Sequence, residues 1–324
     1  MTRLSRLSTL AIGLLLTPLV ALAQAFPSKP IHIVVPFPAG GAGDTLNRSI
    51  AAKLAENIGK PVLVDNRPGA STIIGAEAVA KAAPDGHTLL FATDVTTSIN
   101  PLVYRKLPYN PQTDFAPVTA IAYVPIYLLV NAEVGANSIA DLIRIAKANP
   151  GKLNFASFGM ATNAHLDGEA LQRAAGINMV HVPFKGVAEV VPALLSGQVQ
   201  VVLTSPNQSL PHIRTGRIKA LGIMRRERSA LMPEVPTFAE AGLKDMDSSP
   251  WYGFVVPART PQDIVQKLAA ELGKVLTDPD FREKSIVSKV MEPAPVGPEH
   301  LAGILRSDRE KYARYIKALN IKLD

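Results

Sequence analysis

The chain has 324 residues, no cysteine and a formal net charge of +7, and 47% of its residues are hydrophobic. The absence of cysteine excludes disulfide bonds, zinc–thiolate sites and thiol catalysis, so stability must come from packing. The basic residues are scattered apart from the run at 225–228 (Arg-Arg-Glu-Arg), which has no interleaved aromatic residue and does not indicate a nucleic-acid site. A mild positive charge suits a protein that attracts small anions into a cleft.

Residues 1–25 have the pattern of a secretory signal peptide. Two early arginines give a basic start, residues 10–23 form an apolar segment, and small-x-small sites predict cleavage near Ala23 or Ala25. The apolar segment is shorter than the roughly 20 residues that a membrane-spanning helix needs. We therefore expect a free periplasmic protein, and an uncleaved anchor is the alternative interpretation.

Beyond this segment, short apolar runs alternate with helical patterns, which favours mainly parallel sheets with helices on both faces. The first half is predicted as a βαβαβ unit, with strands at 31–37, 62–64 and 88–92 and helices at 45–58 and 73–83. A comparable unit follows residue 125, with helices at 138–149, 163–175 and 187–196 and strands at 153–156, 179–183, 199–203 and 220–223. A further strand is predicted at 251–256, and helices are predicted to begin near Pro261, Pro279 and Pro298.

The helical tail has no sheet of its own, so it must pack on an earlier domain. We therefore predict a discontinuous first lobe, residues 26–124 plus 250–324, with a second lobe, 125–249, inserted into it. Strands near 125–130 and 250–256 would cross between the lobes as a hinge. The predicted fold is a two-lobed α/β clamshell, with the ligand site in the cleft between its domains.

Residues 36–44 (Pro-Phe-Pro-Ala-Gly-Gly-Ala-Gly-Asp) lie between the first strand and the first helix, at the carboxyl end of a strand, where α/β sheets bind ligands. Glycines allow a sharp turn and a close approach of the backbone to a ligand. Successive N–H groups and the start of the helix form an anion site without a basic side chain. The simpler alternatives are that the glycines only form a tight turn and that Asp44 only caps the helix. We favour anion binding for the loop and the N-cap role for Asp44.

A dinucleotide site is the main rival. Gly41-x-Gly43 follows a strand, and Asp65 ends the next strand about 20 residues later, where a ribose-binding acid belongs. However, the third glycine position is Leu46, which is too bulky for close helix–strand packing. A secreted NAD-type enzyme would also have little access to its cofactor, so no cofactor is predicted.

Enzyme signatures are weak along the chain. The six histidines are dispersed, with no pair at metal-ligand spacing on a predicted helix. The sequence has neither a Gly-x-Ser-x-Gly nucleophile turn nor a Walker loop. We therefore predict no metal site and no enzymatic activity.

Several segments resemble the Bug family, the periplasmic binding proteins of tripartite tricarboxylate transporters. The motifs that carry the resemblance are 28–31 (Ser-Lys-Pro-Ile), 36–41 (Pro-Phe-Pro-Ala-Gly-Gly), 65–70 (Asp-Asn-Arg-Pro-Gly-Ala), 84–86 (Pro-Asp-Gly) and 181–186 (His-Val-Pro-Phe-Lys-Gly). The resemblance extends in order along the whole mature chain. It implies two α/β lobes, no enzymatic activity, a small carboxylate ligand and delivery to integral membrane transporter subunits. A sensor protein is a further partner consistent with this role, and a monomer suits a clamshell that docks on a transporter.

By this resemblance, the first-lobe loop holds one carboxylate largely through main-chain groups. That places Phe37, Ala39, Gly40, Gly41 and Asp44 at the ligand site.

The second-lobe loop corresponds to residues 157–165, and its polar residues suit the other end of the ligand. The predicted ligand-binding residues of this lobe are Ser157, Phe158, Gly159, Thr162, Asn163, Thr204 and Ser205. His165 is predicted to support the turn from behind.

This chain departs from the family pattern at two places. The family often has Ser-Ser-Gly-x-Gly-Thr where this chain has Phe158 and Ala161, and often has Asp-Asn where this chain has Thr204 and Ser205. An acid at the second place could pair with the amino group of a ligand. Its absence argues against amino-acid ligands and favours a dicarboxylate or an aromatic carboxylate.

Overall fold

The structure is a computed structural model that describes residues 26–244 and 246–319. The predicted signal peptide therefore lies outside the described residues. Within the described ranges, no helix is both long enough and apolar enough to cross a membrane.

Lobe 1, as we use the term, is the part of the chain that carries a six-stranded sheet. Its strands are β1 (Ile31–Val35), β2 (Val62–Asn66), β3 (Thr88–Thr93), β4 (Phe115–Tyr123), β10 (Trp251–Pro257) and β11 (Glu292–Pro293). They lie in the order β11-β4-β10-β3-β1-β2. The accompanying helices are α1 (Ala42–Ile58), α2 (Ile73–Ala80), α3 (Asn100–Val103), α8 (Gln262–Thr277), α9 (Pro279–Ser285) and α10 (Pro298–Leu319).

Lobe 2 carries a five-stranded sheet. Its strands are β5 (Tyr127–Asn131), β6 (Asn154–Ser157), β7 (Val180–Pro183), β8 (Val201–Thr204) and β9 (Ile218–Ile223), in the order β7-β6-β8-β5-β9. The helices of this lobe are α4 (Ile139–Ala148), α5 (Asn163–Ala175), α6 (Val187–Leu195) and α7 (Leu210–Arg214). The predicted α/β architecture with two helix-flanked sheets is confirmed.

Most strands of each sheet run in one direction, as predicted. β1 pairs in parallel with β2 and β3, and β6 pairs in parallel with β7 and β8. The exceptions include β5 and β10, which pair antiparallel with their neighbours. β5 enters the lobe 2 sheet from lobe 1, and β10 enters the lobe 1 sheet from lobe 2. Each therefore begins at the edge of its sheet where its neighbouring parallel strands end. The carboxyl ends of β1 to β3 and of β6 to β8 therefore lie on the side where the lobes meet.

Within the described residues the chain passes between the two sheets twice, directly before β5 and β10, which overlap the segments predicted as hinge strands. Residues 124–126 connect β4 to β5, and residues 224–250 connect β9 to β10. Backbone hydrogen bonds join the two crossings: Val124 N–H donates to Pro250 O at 2.8 Å, and Met224 N–H donates to Ile126 O at 2.8 Å.

Local sequence signals account for several helix boundaries. In α1 an apolar stripe of Leu46, Ile50 and Leu54 is buried in the lobe 1 core, and the helix ends at Gly59 in the left-handed conformation. The hydroxyl of Ser138 caps α4 by accepting the N–H of Asp141 at 3.0 Å, as predicted. The start of α1 differs from the prediction: it begins at Ala42 rather than at residue 45, because Gly41 is already the extended N-cap residue.

The segment between β3 and β5 contains elements that the sequence does not predict. Residues 95–99 form a short π-helix that continues into α3, and residues 115–123 form β4. Pro117 interrupts the apolar pattern of β4, and it lies at a register shift opposite Val255, where a strand tolerates a proline.

Candidate functional site

The loop between β1 and α1 brings main-chain donors to the side where the lobes meet. Gly40 has φ of +84°, a conformation that favours glycine, while Gly41 is extended at φ −75°. The N–H groups of the first three residues of α1 have no carbonyl one turn earlier within the helix. Together with the helix dipole, these N–H groups make the carboxyl end of β1 suited to an anion. Phe37 is half-buried behind this turn, while Ala39 is exposed.

Asp44 holds the loop in shape. Its carboxylate accepts hydrogen bonds from Gly40 N–H at 2.9 Å, from Arg48 Nε at 3.0 Å and from Asn66 Nδ2 at 2.9 Å. Burial alone would raise the pKa of this carboxyl, but the hydrogen bonds from Arg48, Gly40 and Asn66 outweigh it, so the pKa is lowered. The expected N-cap role is wrong, because Asp44 lies inside the first turn and reaches back to the residue before the N-cap. Its carboxylate instead stabilises the glycine loop through these hydrogen bonds.

The turn between β6 and α5 has the same arrangement in lobe 2. Gly159 has φ of +126° and Ala161 has φ of +56°, and Thr162 is the N-cap residue of α5. The first N–H groups of α5 again open a helix at the carboxyl end of a strand. A second set of main-chain donors thus lies on the lobe 2 side.

The polar side chains of this turn bond within the protein. The hydroxyl of Ser157 donates to Gly159 O at 3.0 Å, and the hydroxyl of Thr162 donates to the same oxygen at 2.8 Å. Nδ2 of Asn163 donates to Asp94 of lobe 1 at 2.6 Å. That Ser157, Thr162 and Asn163 bind the ligand stays a prediction. With these side chains bonded within the protein, the N–H groups that open α5 are the donors that the turn can offer.

Thr204 is the last residue of β8 and Ser205 follows it. Both lie beside the turn after β6, because β6 and β8 are parallel neighbours. Thr204 is buried and Ser205 is half-buried. The ring of Phe158 packs against the apolar core of lobe 2. The predicted second-lobe residues thus gather at one edge of the sheet.

The loops of the two lobes approach each other. The hydroxyl of Ser71, which follows β2, donates to Met160 O at 3.2 Å. A β-carbon built on Gly186, which follows β7, would lie 4.0 Å from Cγ of Pro38. The two turns at helix N-termini therefore border one cleft.

A cavity of about 250 Å³ opens beside the glycine loop. Residues from both lobes line it, among them Gly40, Ala42, Asn207, Gln208, Lys284 and Lys289. It reaches the first turn of α1 but not the turn after β6, and its two lysines make this side of the glycine loop basic.

Buried carboxylates join the lobes behind the cleft. Asp94, after β3, accepts hydrogen bonds from Asn163 of α5 and from the hydroxyl of Tyr312 of α10. Asp167 of α5 accepts from Ser248 Oγ of the second crossing at 2.9 Å. Burial raises the pKa of both carboxyls, that of Asp167 to about 7. Neither Asp94 nor Tyr312 is part of the predicted site; the position of Asp94 after β3 is the one sequence signal that could have drawn attention to it.

The variant Asp167→Asn should flatten the dependence of stability on pH. The folded-state pKa of Asp167 lies above its unfolded value, so the folded state binds the proton more tightly and stability falls as pH rises through about 7. Between pH 5 and pH 8 this single group should cost the parent about 2–3 kcal/mol. Urea unfolding at both pH values measures the difference. An equal decline in the free energy of unfolding of parent and variant would contradict the raised pKa of Asp167.

Comparison with known proteins shows the relationship that the site geometry suggests. The family model described as tripartite tricarboxylate transporter family receptor (TctC) matches residues 46–321. The chain belongs to this family. TctC receptors are periplasmic solute-binding proteins and not enzymes, which confirms the predicted resemblance and removes the NAD-type enzyme as an interpretation.

Two relatives illustrate how far the similarity to TctC proteins extends. A UPF0065 protein in the tcbD-tcbE intergenic region of Pseudomonas sp. (strain P51) is 39% identical over 294 residues, which cover 90% of this chain and 87% of the relative. The protein BugT of Bordetella pertussis is 32% identical, with 93% of this chain and 92% of BugT covered.

Solved structures of similar proteins share the fold of this TctC receptor. The R. palustris protein Rpa4515 with adipate has a TM-score of 0.87 at 32% identity, covering 92% of this chain and 99% of that chain. MatC from Rhodopseudomonas palustris with bound malate has a TM-score of 0.83 at 30% identity, covering 90% of this chain and 100% of that chain.

Proposed function

We propose that this protein captures a small dicarboxylate in the cleft between its lobes and delivers it to a tripartite tricarboxylate-type membrane transporter. The observation that carries the proposal is the pair of helix N-termini, one from each lobe, that follow β1 and β6 and border the same cleft. Each offers several N–H donors and the positive end of a helix dipole to one carboxylate.

Main-chain donors suit this task energetically. A hydrogen bond to a charged group contributes about 1.5–3 kcal/mol, so two or three N–H groups at each end contribute on the scale of the cost of association. In lobe 1 these donors are the N–H groups of Ala42, Gly43 and Asp44, which open α1. The predicted residues of lobe 2 would shape the opposite wall.

The ligand class follows from the charges around the cleft. Thr204 and Ser205 provide no acid that could pair with an ammonium group, and the carboxylate of Asp94 is buried and already bonded to Asn163 and Tyr312. The bound adipate and malate of the two R. palustris proteins are dicarboxylates without an amino group. Aromatic carboxylates are the other class that the sequence favours.

The lobes, 26–124 plus 250–324 and 125–249, would close on the ligand about the two crossings. The carboxylate first meets the glycine loop, and contacts from lobe 2 then favour the closed form, since a ligand shifts the equilibrium only by its differential affinity. We propose that the membrane subunits recognise this closed form of a periplasmic monomer.

A thermal-shift screen of the refolded mature protein tests the ligand class. The panel is citrate, succinate, adipate, malate, glutamate, benzoate, terephthalate and nicotinate, with NAD as the control for the dinucleotide alternative. A true ligand at a hundredfold excess over its Kd adds about 2.7 kcal/mol to stability and should raise Tm by several degrees. A shift with glutamate and with none of the non-amino carboxylates would contradict the proposed class.

A further inference from the structure

Behind the lobe 2 turn lies a stack of three rings. Phe155 of β6, His181 of β7 and His165 of α5 lie face to face, with ring centroids 4.9 Å apart between Phe155 and His181 and 4.2 Å apart between the two histidines. Both imidazoles contact the turn through hydrogen bonds, so the stack couples the core of lobe 2 to the start of α5.

The hydrogen bond of His165 fixes its tautomer. Ala161 N–H donates to Nδ1 of His165 at 3.0 Å, so Nδ1 carries no proton and Nε2 carries it. The residue held in this way is a non-glycine residue with φ of +56°, a conformation that persists only when its surroundings enforce it. Ala161 directly precedes Thr162, the N-cap residue of α5.

The hydrogen bond of His181 fixes the other end of the turn. Its Nε2 lies 2.7 Å from Oγ of Ser157, and the same oxygen lies 3.0 Å from Gly159 O. Because a hydroxyl has one proton and a carbonyl oxygen only accepts, Ser157 donates to Gly159 and His181 Nε2 donates to Ser157. Gly159 N–H also donates to Oγ of Ser157 at 3.3 Å.

We propose that the neutral pair His165–His181 positions the lobe 2 anion site, by holding Ala161 in its left-handed conformation and by locking Ser157 onto Gly159. The pair bonds to the turn itself and acts through the direction of the N–H groups that open α5. This inference rests on the proposed function, because it assigns the role of the turn as a carboxylate site.

The surroundings favour the neutral form of both rings. Burial, and then the charge of the neighbouring His181, lowers the pKa of His165 to about 4, and burial lowers the pKa of His181. Glu169 of α5 is a titratable group that also faces the pair, and its Oε1 lies 3.9 Å from Nε2 of His165. Protonation of His165 would place an N–H donor at Nδ1, opposite the N–H of Ala161. The hydrogen bond that holds Ala161 therefore requires the neutral ring.

Matched substitutions separate hydrogen bonding from mere filling of space. In His165→Asn the side-chain carbonyl can accept Ala161 N–H near the position of Nδ1, whereas His165→Leu fills the space without an acceptor. In His181→Gln the amide can donate to Ser157 near the position of Nε2, whereas His181→Leu cannot. His212→Asn, on α7 and away from the stack, is the control.

Adipate binding by calorimetry is the first readout. We expect the two Leu variants to bind adipate about tenfold or more weakly than the parent, and the Asn and Gln variants to bind within about threefold of it. Equal losses in the Leu variant and its polar counterpart would overturn the inference, because hydrogen bonding would then contribute nothing.

A ligand-free readout separates this inference from the proposed function and from misfolding of a variant. Imidazole ¹⁵N shifts of the parent at pH 8 should show Nε2–H tautomers for both rings, and the spectrum of His165 should be unchanged between pH 8 and pH 5. The Ala161 amide should resist hydrogen exchange. An Nδ1–H tautomer at His165, or titration of its ring in that range, would overturn the positioning role of the histidine pair even if adipate binds. Failure of the parent to bind any carboxylate, with these spectra as expected, would reject the proposed function alone.

Discussion

Substitution of Gly41 by valine should abolish carboxylate binding while the protein stays folded. Gly41 has an extended conformation open to any residue, and its β-carbon would have only an ordinary contact, 3.6 Å from Pro38 O. The branched side chain would, however, stand over the N–H groups that open α1 and keep a carboxylate away from them. Loss of two charge-assisted hydrogen bonds costs about 3–6 kcal/mol, so calorimetry should show affinity weakened about 100-fold or more.

Gly303→Val is the matched control. Gly303 lies in α10, where an added β-carbon meets no atom within 4 Å. This variant should bind as the parent does, and both variants should unfold cooperatively. Parent-like affinity in Gly41→Val would remove the glycine loop from the site.

The variant Asp44→Ala should lose both stability and binding. It removes the shared acceptor for Gly40 N–H, Asn66 Nδ2 and the guanidinium of Arg48, so the hydrogen bonds that fix the turn are lost. We expect a loss of about 2–3 kcal/mol in the free energy of unfolding, discounted for the exposure of Arg48, and an affinity at least about tenfold weaker because the turn relaxes. Urea unfolding and calorimetry measure the two effects.

The pH dependence of this variant has a definite sign. The pKa of Asp44 is lowered on folding, so its contribution is present above the ordinary value of 3.8 and is lost as pH falls through the folded-state pKa. The stability gap between parent and variant should therefore be full at pH 7 and shrink below about pH 4. Asp141→Ala is the control, since Asp141 plays the same local role at the start of α4 but on an exposed surface. An equal loss of unfolding free energy in Asp44→Ala and Asp141→Ala would mean that Asp44 stabilises its loop no more than an exposed carboxylate does.

Much of the fold is predictable because its signals are local. Apolar periodicity and prolines at helix starts place the helices, and α5 has the bounds that the sequence predicts, Asn163–Ala175. β4 escapes prediction because Pro117 breaks its pattern and because its stability comes from pairing with β10, far along the chain.

The candidate site is predictable in position but not in detail. A glycine-rich turn after a strand indicates main-chain anion binding, and the structure places such a turn at the cleft. Sequence reveals the polar residues of the second turn but not the direction of their hydroxyls, which bond to Gly159 O. The contacts of Asp94 are beyond local reasoning altogether, since its partners lie 69 and 218 residues away.

The central claim is that each lobe holds one carboxylate of a dicarboxylate, and a paired calorimetric titration tests it most directly. Refolded protein, freed of co-purified ligand, is titrated with adipate and with hexanoate, and with malate and with lactate, so that each pair differs by one carboxylate. The account predicts saturable one-to-one binding of at least one dicarboxylate and binding of its one-carboxylate analogue that is about 100-fold or more weaker. Equal affinity within a pair, or no binding of either dicarboxylate, would contradict it.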